Sequence, residues 1–223
     1  MRINLLTVIL TLTFLLNGCN SKNNECPLEF FQIGNEKVEI LNPDDIKSVV
    51  KEKIIDKGVS AFIFIDRENN ELKGSINLNG KYYYVGQVSM ENTPEDLIGI
   101  EEVQVFGKKA VKIYGILGAN YAQVYYWFFH KKPEESIIQI NGNAIEIDLD
   151  DDGKNEIVST LGTVSEARIY ILKEGRVYAS DINESIGAES VVLKDTDKKL
   201  LEVYFEPNKP EQYIYHKGSL IKK

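Results

Sequence analysis

One short segment of the chain concentrates acidic side chains at regular spacing. In Asp148-Leu149-Asp150-Asp151-Asp152-Gly153-Lys154-Asn155-Glu156, counted from Asp148, acids occupy positions 1, 3, 5 and 9 and glycine occupies position 6. Alternate residues of a tightly wound loop turn their side chains to the same side, and the glycine permits a sharp bend. Calcium takes about six to eight oxygen ligands, whereas zinc prefers His and Cys, and magnesium requires a stricter octahedral geometry. We therefore predict a structural Ca²⁺ site, with Asp148, Asp150, Asp152 and Glu156 binding through their carboxylates and Lys154 through its carbonyl.

The residues around this loop exclude an EF-hand. The twelfth position, which needs a bidentate acid in an EF-hand, is Ser159, and both flanks are rich in β-branched residues rather than helical. A solvated acidic hairpin is the alternative interpretation. It leaves the mutual repulsion of the aspartates without compensation, so we favour the metal site.

The loop resembles the calcium loops of FG-GAP/VCBS repeats, which form the blades of integrin-like propellers. Those loops follow the pattern Asp-x-Asp-Gly-Asp-Gly-x-x-Asp and lead into an apolar strand. Asp148, Asp150, Asp152, Gly153 and Glu156 match the pattern, whereas Asp151 replaces a glycine and Glu156 is the longer acid. The resemblance implies that the ion braces a turn and takes no part in catalysis.

A second chemical feature lies near the N-terminus, where an apolar run ends in Leu16-Asn17-Gly18-Cys19. This tetrapeptide resembles the lipobox of bacterial lipoproteins. The resemblance implies a diacylglycerol on the Cys19 sulfur and cleavage before Cys19. We accordingly expect residues 1–18 to be a signal peptide, 19–27 a tether, and the protein to be held by lipid on the extracytoplasmic face of the cell membrane.

Two other interpretations compete with lipidation at this segment. A transmembrane helix needs roughly 20 apolar residues, and the run from Ile3 to Leu16 is shorter. The single charge at Arg2 and the small residue before the cleavage point are typical of a signal peptide. An ordinary signal peptide, cleaved without lipid, remains the second alternative.

Composition restricts the partners. The net charge is −8, which argues against nucleic acid and against electrostatic adhesion to anionic lipid headgroups. The chain has two cysteines. If Cys19 carries lipid, Cys26 has no partner within the chain, so we expect no disulfide and an unremarkable thiol at Cys26.

The sequence gives little support for an enzyme. Both histidines, His130 and His216, follow aromatic-rich segments, and no nucleophile elbow, zinc-binding helix or phosphate-binding loop is present. Carboxylates that a glycosidase would use in pairs are plentiful but unspecific. The candidates, which we interpret as solvated loop residues, are Glu101, Glu102, Glu134, Glu135 and Asp181.

We predict one helix early in the chain. Asn42 can cap it, Pro43 suits its first turn, and Ile46, Val49, Val50 and Ile54 recur at helical spacing up to Gly58. A second, short helix is predicted from Thr93.

Most of the remaining chain predicts strands, separated by turn residues such as Asn79-Gly80, Asn141-Gly142 and Glu174-Gly175. The segment Tyr121–Phe129 is apolar on both faces, which indicates a buried central strand, with an aromatic ligand platform as the alternative. The predicted strands are Ala61–Ile65, Lys81–Val88, Ala110–Ile116, Ala122–Phe129, Ser136–Ile140, Ala144–Asp148, Glu156–Thr160, Arg168–Leu172, Ser190–Leu193, Leu200–Phe205 and Gln212–His216.

An internal repeat sharpens the fold prediction. Residues 113–118 align without gaps on 157–162, and Tyr125-Tyr126 falls on Ile169-Tyr170 at the same offset of 44 residues. A weaker copy begins at Glu202. Periods near 45 residues are typical of propeller blades, although two similar hairpin pairs in a sandwich would give the same pattern.

We therefore expect a mainly β, antiparallel domain over residues 28–223. It would contain propeller-like units near 105–150, 150–190 and 191–223, with a small helical N-terminal portion. The expected function is a binding or interaction module of the cell envelope, with an envelope protein or glycan as partner. The alternatives are a hydrolase that acts on glycan or wall polymer through carboxylates, and a structural accessory of a membrane complex.

Overall fold

A computed structural model describes residues 24–129 and 132–223, and nearly all of its regular structure is antiparallel strand. The mainly β prediction is thereby confirmed. The strands group into four sheets, numbered here in chain order, and the last strand of each of three sheets is extended by a short N-terminal strand.

The strands have the following bounds. The N-terminal strands are β1 Glu25–Pro27, β2 Phe31–Gln32 and β3 Glu39–Ile40. Sheet 1 contains β4 Ile46–Asp56, β5 Val59–Asp66, β6 Leu72–Leu78 and β7 Lys81–Ser89. Sheet 2 contains β8 Gly99–Val105, β9 Lys108–Gly118, β10 Tyr121–Trp127 and β11 Ile137–Asn141. Sheet 3 contains β12 Asn143–Ile147, β13 Glu156–Leu161, β14 Glu166–Lys173 and β15 Arg176–Asp181. Sheet 4 contains β16 Ser190–Asp195, β17 Leu200–Tyr204, β18 Pro210–His216 and β19 Ser219–Lys222.

Helical structure is limited to short segments. The α-helix α1 spans Ile182–Ile186, and 3₁₀ turns span Pro43–Asp45, Glu95–Leu97 and Pro133–Glu135. The helix predicted from Asn42 to Gly58 is wrong, because β4 occupies most of that span. Its start signals act locally: the Asn42 side chain accepts a hydrogen bond from the Asp44 N–H at 3.2 Å, and Pro43 opens the 3₁₀ turn.

Each sheet is an up-and-down meander of consecutive strands. Two-residue turns with two positive φ angles close several of the hairpins, as at Asn79-Gly80, where φ is +53° and +84°. This is the backbone twist that suits a tight hairpin, and Asn and Gly tolerate it. Local turn chemistry therefore builds each sheet from neighbouring residues.

Three apolar clusters join the sheets in series. Ile63, Ile113 and Trp127 belong to the cluster between sheets 1 and 2. Equivalent clusters lie between sheets 2 and 3 and between sheets 3 and 4. In the described part of the chain no core cluster joins sheet 4 back to sheet 1, so closure into a propeller is not observed.

An N-terminal segment, residues 24–41, crosses the outer edges of all four sheets, and we call it the strap. It pairs with β19 through β1 and with β15 through β2, donates from the Glu36 N–H to the Ile137 carbonyl at 2.8 Å, and pairs with β7 through β3. Residues 25–27, expected in the tether, therefore form a strand. From its first residue to its last, the strap contacts the sheets in the order 4, 3, 2, 1.

Candidate metal centre

The acidic loop, residues 148–155, connects β12 to β13 in sheet 3. The last pair of this hairpin is Ile147 with Glu156, which returns Glu156 to the base of the loop. The Phe106 N–H donates to the Asn155 carbonyl at 2.7 Å, and the Asn155 side chain donates to the Gln104 carbonyl at 3.0 Å. Lys199, in the turn between β16 and β17, forms an ion pair with Asp151. The loop is thus attached to sheet 2 on one side and to sheet 4 on the other.

Hydrogen bonds from the backbone to Asp148 set the winding of the loop. Asp148 Oδ1 accepts from the Asp152 N–H at 3.1 Å, and Oδ2 accepts from the Gly153 N–H at 3.0 Å. Gly153 has a φ of +84°, which glycine adopts without steric cost. The sequence signal at Gly153 therefore corresponds to a bend that the loop requires.

Three of the predicted ligands converge. One carboxylate oxygen from each of Asp148, Asp150 and Glu156 lies within 4.8 Å of the other two. Asp150 Oδ1 is buried and has no hydrogen-bond partner within the described residues. Glu156 is buried at 8% exposure, and its Oε2 accepts from the Leu149 N–H at 2.8 Å. A buried carboxylate oxygen without a partner is costly unless a cation or a proton compensates it.

The electrostatic environment of Glu156 also favours a compensating cation or proton. Burial raises the pKa of the Glu156 carboxyl to about 7, and the negative charges of Asp150 and Asp152 add to this effect. The Leu149 N–H opposes the rise by donating to the carboxylate. Without a cation, the cluster therefore holds its third negative charge at an energetic cost.

The remaining two predicted residues are placed differently. Asp152 Oδ1 accepts from the Lys154 N–H at 2.8 Å, and Oδ2 pairs with Lys154 Nζ at 3.0 Å. The hydrogen bonds with Lys154 lower the pKa of Asp152. Asp152 is not part of the three-carboxylate cluster, and Lys154 remains an expected ligand through its carbonyl alone.

The sequence did not identify the residues that fix the loop to its neighbours, Asn155 and Lys199. No local pattern marks Asn155, and Lys199 lies 48 positions from Asp151. Lys199 also falls in the corresponding turn of the next sheet. Only a correct repeat alignment would have brought it near the acidic loop.

The cysteines give one correction and one untested point. Cys26 is 2% exposed and disulfide-bonded, so the expected free thiol is wrong. Cys19, the predicted lipidation site, lies outside the described residues. Because the chain contains two cysteines, an intrachain disulfide and a lipid thioether on Cys19 exclude each other.

The other residues considered for chemistry are dispersed. Glu101 accepts from the Tyr114 hydroxyl at 2.9 Å, while Glu102 and Glu134 face Lys53 and Lys81, each at 3.8 Å. Asp181 caps α1 and pairs with Arg168 at 3.2 Å, and Glu135 is exposed. His216 is exposed at the end of β18, and His130 lies outside the described residues.

The aromatic segment is core. Tyr125, Tyr126 and Trp127 are at most 5% exposed, and β10 lies between β9 and β11. The prediction of a buried central strand is confirmed, and an aromatic ligand platform on this strand is wrong.

No family model, curated protein or solved structure matches this chain. Among the described residues, no helix combines the length and the apolar character that crossing a bilayer demands.

Proposed function

We propose that this protein is a lipid-anchored interaction module of the cell envelope, whose β domain is braced by one Ca²⁺ ion at the acidic loop. The convergence of Asp148, Asp150 and Glu156, with a buried and unpartnered oxygen on Asp150, carries the metal part of the proposal. The sequence at Cys19 carries the anchor.

The charges of the loop divide into two groups. Asp151 and Asp152 are paired with Lys199 and Lys154. The other three acids form no ion pair with any described residue, although they lie together. Side-chain cations therefore compensate the outer acids, and the inner group is left for a bound cation.

The donor set favours calcium. The cluster offers carboxylate oxygens, with no His or Cys in the group. Three carboxylates satisfy part of a coordination shell of about six to eight oxygens, and the Lys154 carbonyl and water would supply the rest. Magnesium would require a stricter octahedron.

A bound ion at this position would act on more than one turn. The loop is bonded to the β8–β9 turn of sheet 2 and to the β16–β17 turn of sheet 4. Fixing the carboxylates would therefore stabilise the contacts among sheets 2, 3 and 4. We assign the ion this bracing role.

Calcium should stabilise the folded protein. Ligand that binds only the folded state adds RT ln(1 + [L]/Kd), or about 2.7 kcal/mol at a hundredfold excess over Kd. Asp150→Ala should remove most of the calcium-dependent rise in melting temperature. In EDTA it should leave stability unchanged or slightly higher, because it relieves carboxylate repulsion. Thermal melts of the full-length protein in EDTA, Ca²⁺ and Mg²⁺ measure this.

Asp197→Ala is the matched control, since Asp197 is an exposed aspartate in the β16–β17 turn. It removes the same charge and should retain the calcium response. If the wild-type melt is indifferent to calcium and calorimetry detects no binding, the loop is an acidic turn and the metal proposal fails.

The lipid anchor predicts that the two cysteines respond differently to substitution. Cells that express the wild-type protein should incorporate labelled fatty acid. Cys19→Ser should abolish the label and yield uncleaved or released protein, whereas Cys26→Ser should keep both label and membrane retention. Fractionation and mass spectrometry provide the measurements.

A wild-type protein that incorporates no acyl label, and that fractionates as Cys19→Ser does, would show that the lipid anchor is wrong.

An interaction module is favoured over a hydrolase by the placement of the acids. A glycosidase needs two carboxylates on opposite sides of the scissile bond. Four of the five carboxylates named above are engaged separately, by a tyrosine hydroxyl, by lysines or by the helix cap at Asp181, and Glu135 is exposed. The expected partner is an envelope protein or glycan, and capture from solubilised membranes would test it.

A further inference from the structure

A cleft opens between sheets 2 and 3 beneath the strap. Its volume is about 210 Å³, and strap residues Gln32, Ile33, Gly34 and Asn35 line one side. Pockets that take drug-sized ligands measure about 300–1,000 Å³, so this cleft suits a smaller molecule. It is separate from the acidic loop, because none of the three clustered acids lines it.

The floor of the cleft is apolar. Phe128, Ile138 and Val177 belong to the core cluster between sheets 2 and 3, with Ile33 and Leu172 packed against it. These side chains come from both sheets and from the strap. Ile33 and Leu172 are half-buried, and a ligand on this floor would remove their remaining apolar surface from water, which favours binding.

The rim carries positive charge without full compensation. Arg176 donates to the neutral amide oxygen of Gln32 at 3.0 Å, and the Lys108 side chain forms neither an ion pair nor a hydrogen bond with the described residues. Glu135 is the one carboxylate in the lining, and its backbone carbonyl accepts from Asn35 at 2.8 Å. The lining is therefore net positive on a chain whose net charge is −8.

We propose that this cleft binds a small organic anion with an apolar tail, namely an aliphatic carboxylate of medium chain length. The tail lies on the floor formed by Phe128, Ile138 and Leu172. The carboxylate lies at the rim, where Arg176 can donate in a forked geometry and Lys108 supplies a point charge. The proposal depends neither on calcium at the acidic loop nor on lipid at Cys19.

Photolabelling of the full-length protein tests the proposal. The probe is an octanoate analogue that carries a diazirine on its tail, and cross-linked peptides are identified by mass spectrometry. Label should appear on the peptides that contain Phe128, Ile138 or Leu172. Excess octanoate should compete, whereas octanol and octylammonium should compete at least about tenfold more weakly, because they lack the anionic group.

A matched pair of variants separates the charge from general stickiness. Lys108→Gln should reduce labelling about five- to tenfold at sub-saturating probe, since a charged hydrogen-bond partner is lost. Lys109→Gln makes the same charge change on an exposed neighbour that does not line the cleft, and it should keep labelling within about twofold. Label spread over other peptides, equal competition by octanol, or equal labelling of the two variants would each overturn the proposal.

Discussion

Glu146→Ala is expected to destabilise the protein by about 3–5 kcal/mol, because it leaves a buried lysine without its counter-charge. Lys112 Nζ on β9 lies 3.0 Å from Glu146 on β12, and the side chains are 10% and 15% exposed. Lys112 also donates to the Ala144 carbonyl at 2.8 Å, and the Tyr126 hydroxyl donates to Glu146. Urea unfolding measured by circular dichroism would give the change.

The control replaces the whole network. Lys112→Met, Tyr126→Phe and Glu146→Leu together remove both charges and the hydroxyl that would otherwise lose its acceptor. Such replacement of a buried ion pair by apolar residues is often neutral or stabilising. If Glu146→Ala alone costs less than about 1 kcal/mol, the ion pair is effectively solvated. It would then contribute little to holding sheets 2 and 3 together.

Gly115→Ala should cost about 3 kcal/mol, the upper end of what overpacking causes. A Cβ at this position on β9 would lie 2.3 Å from the Val88 carbonyl oxygen, and backbone cannot rotate away as a side chain can. Sheets 1 and 2 would have to separate at this point. The free energy of unfolding of the variant measures the cost.

Gly118→Ala is the matched control on the same strand, since a Cβ there meets nothing within 4 Å. It should leave stability nearly unchanged or raise it by up to about 1 kcal/mol through the unfolded chain. Equal effects of the two substitutions would show that strand conformation, rather than the approach of sheet 1, limits position 115.

The sequence contained most of the strands in recognisable form. β5, β7, β9 and β10 are rich in β-branched and aromatic residues, which suit a buried pleated surface. Eight strands were missed: β1, β2 and β3 of the strap, β4, which was predicted as a helix, and β6, β8, β15 and β19. Of these, β6 contains Gly74 and alternates with polar residues, and β8 carries Glu101-Glu102 in its centre. Their apolar residues are buried by the neighbouring sheet, which no local pattern reveals.

The false helix has a physical cause in β4. This strand pairs with β5 through three register irregularities, between Ile46 and Ser48, between Val49 and Lys51, and between Ile54 and Asp56. Each extra residue shifts the alternation of side chains. Apolar residues therefore recur at spacings of three and four instead of two, which imitates a helical stripe. The high share of Val and Ile was the better indicator.

The gapless alignment of the repeat is correct for β9 and β13, but it is wrong for the strands that follow them, β10 and β14. Ile113 on β9 and Ile157 on β13 both face the preceding sheet. Ile113 pairs with Tyr125, whereas Ile157 pairs with Tyr170 rather than with Ile169. Tyr170 is thus the equivalent of Tyr125, one residue beyond the alignment. The register shift between Tyr121 and Ala122 in sheet 2, which has no counterpart between β13 and β14, accounts for the slip.

The candidate site was predictable where the chemistry is local. The spacing of Asp148, Asp150 and Glu156 around a glycine placed three acids together, as the structure has them. The position of Asp152 was not predictable from this spacing, because its side chain forms a hydrogen-bonded ion pair with Lys154 at 3.0 Å. The attachments through Asn155 and Lys199 depend on other sheets and follow from the assembled fold.

The strap affects the order in which the parts of the protein fold. The Glu29 N–H bonds to Ser185 across 156 positions, Gln32 to Arg176 across 144, and Asn35 to Glu135 across 100. Contacts between residues so distant along the chain form slowly, because loop closure precedes any gain from pairing. The strap is synthesised before the sheets that it crosses, and it is therefore among the last parts to settle. Until sheet 4 exists, β1 has no partner, and the outer edge of each earlier sheet stays open to other strands until the strap pairs with it.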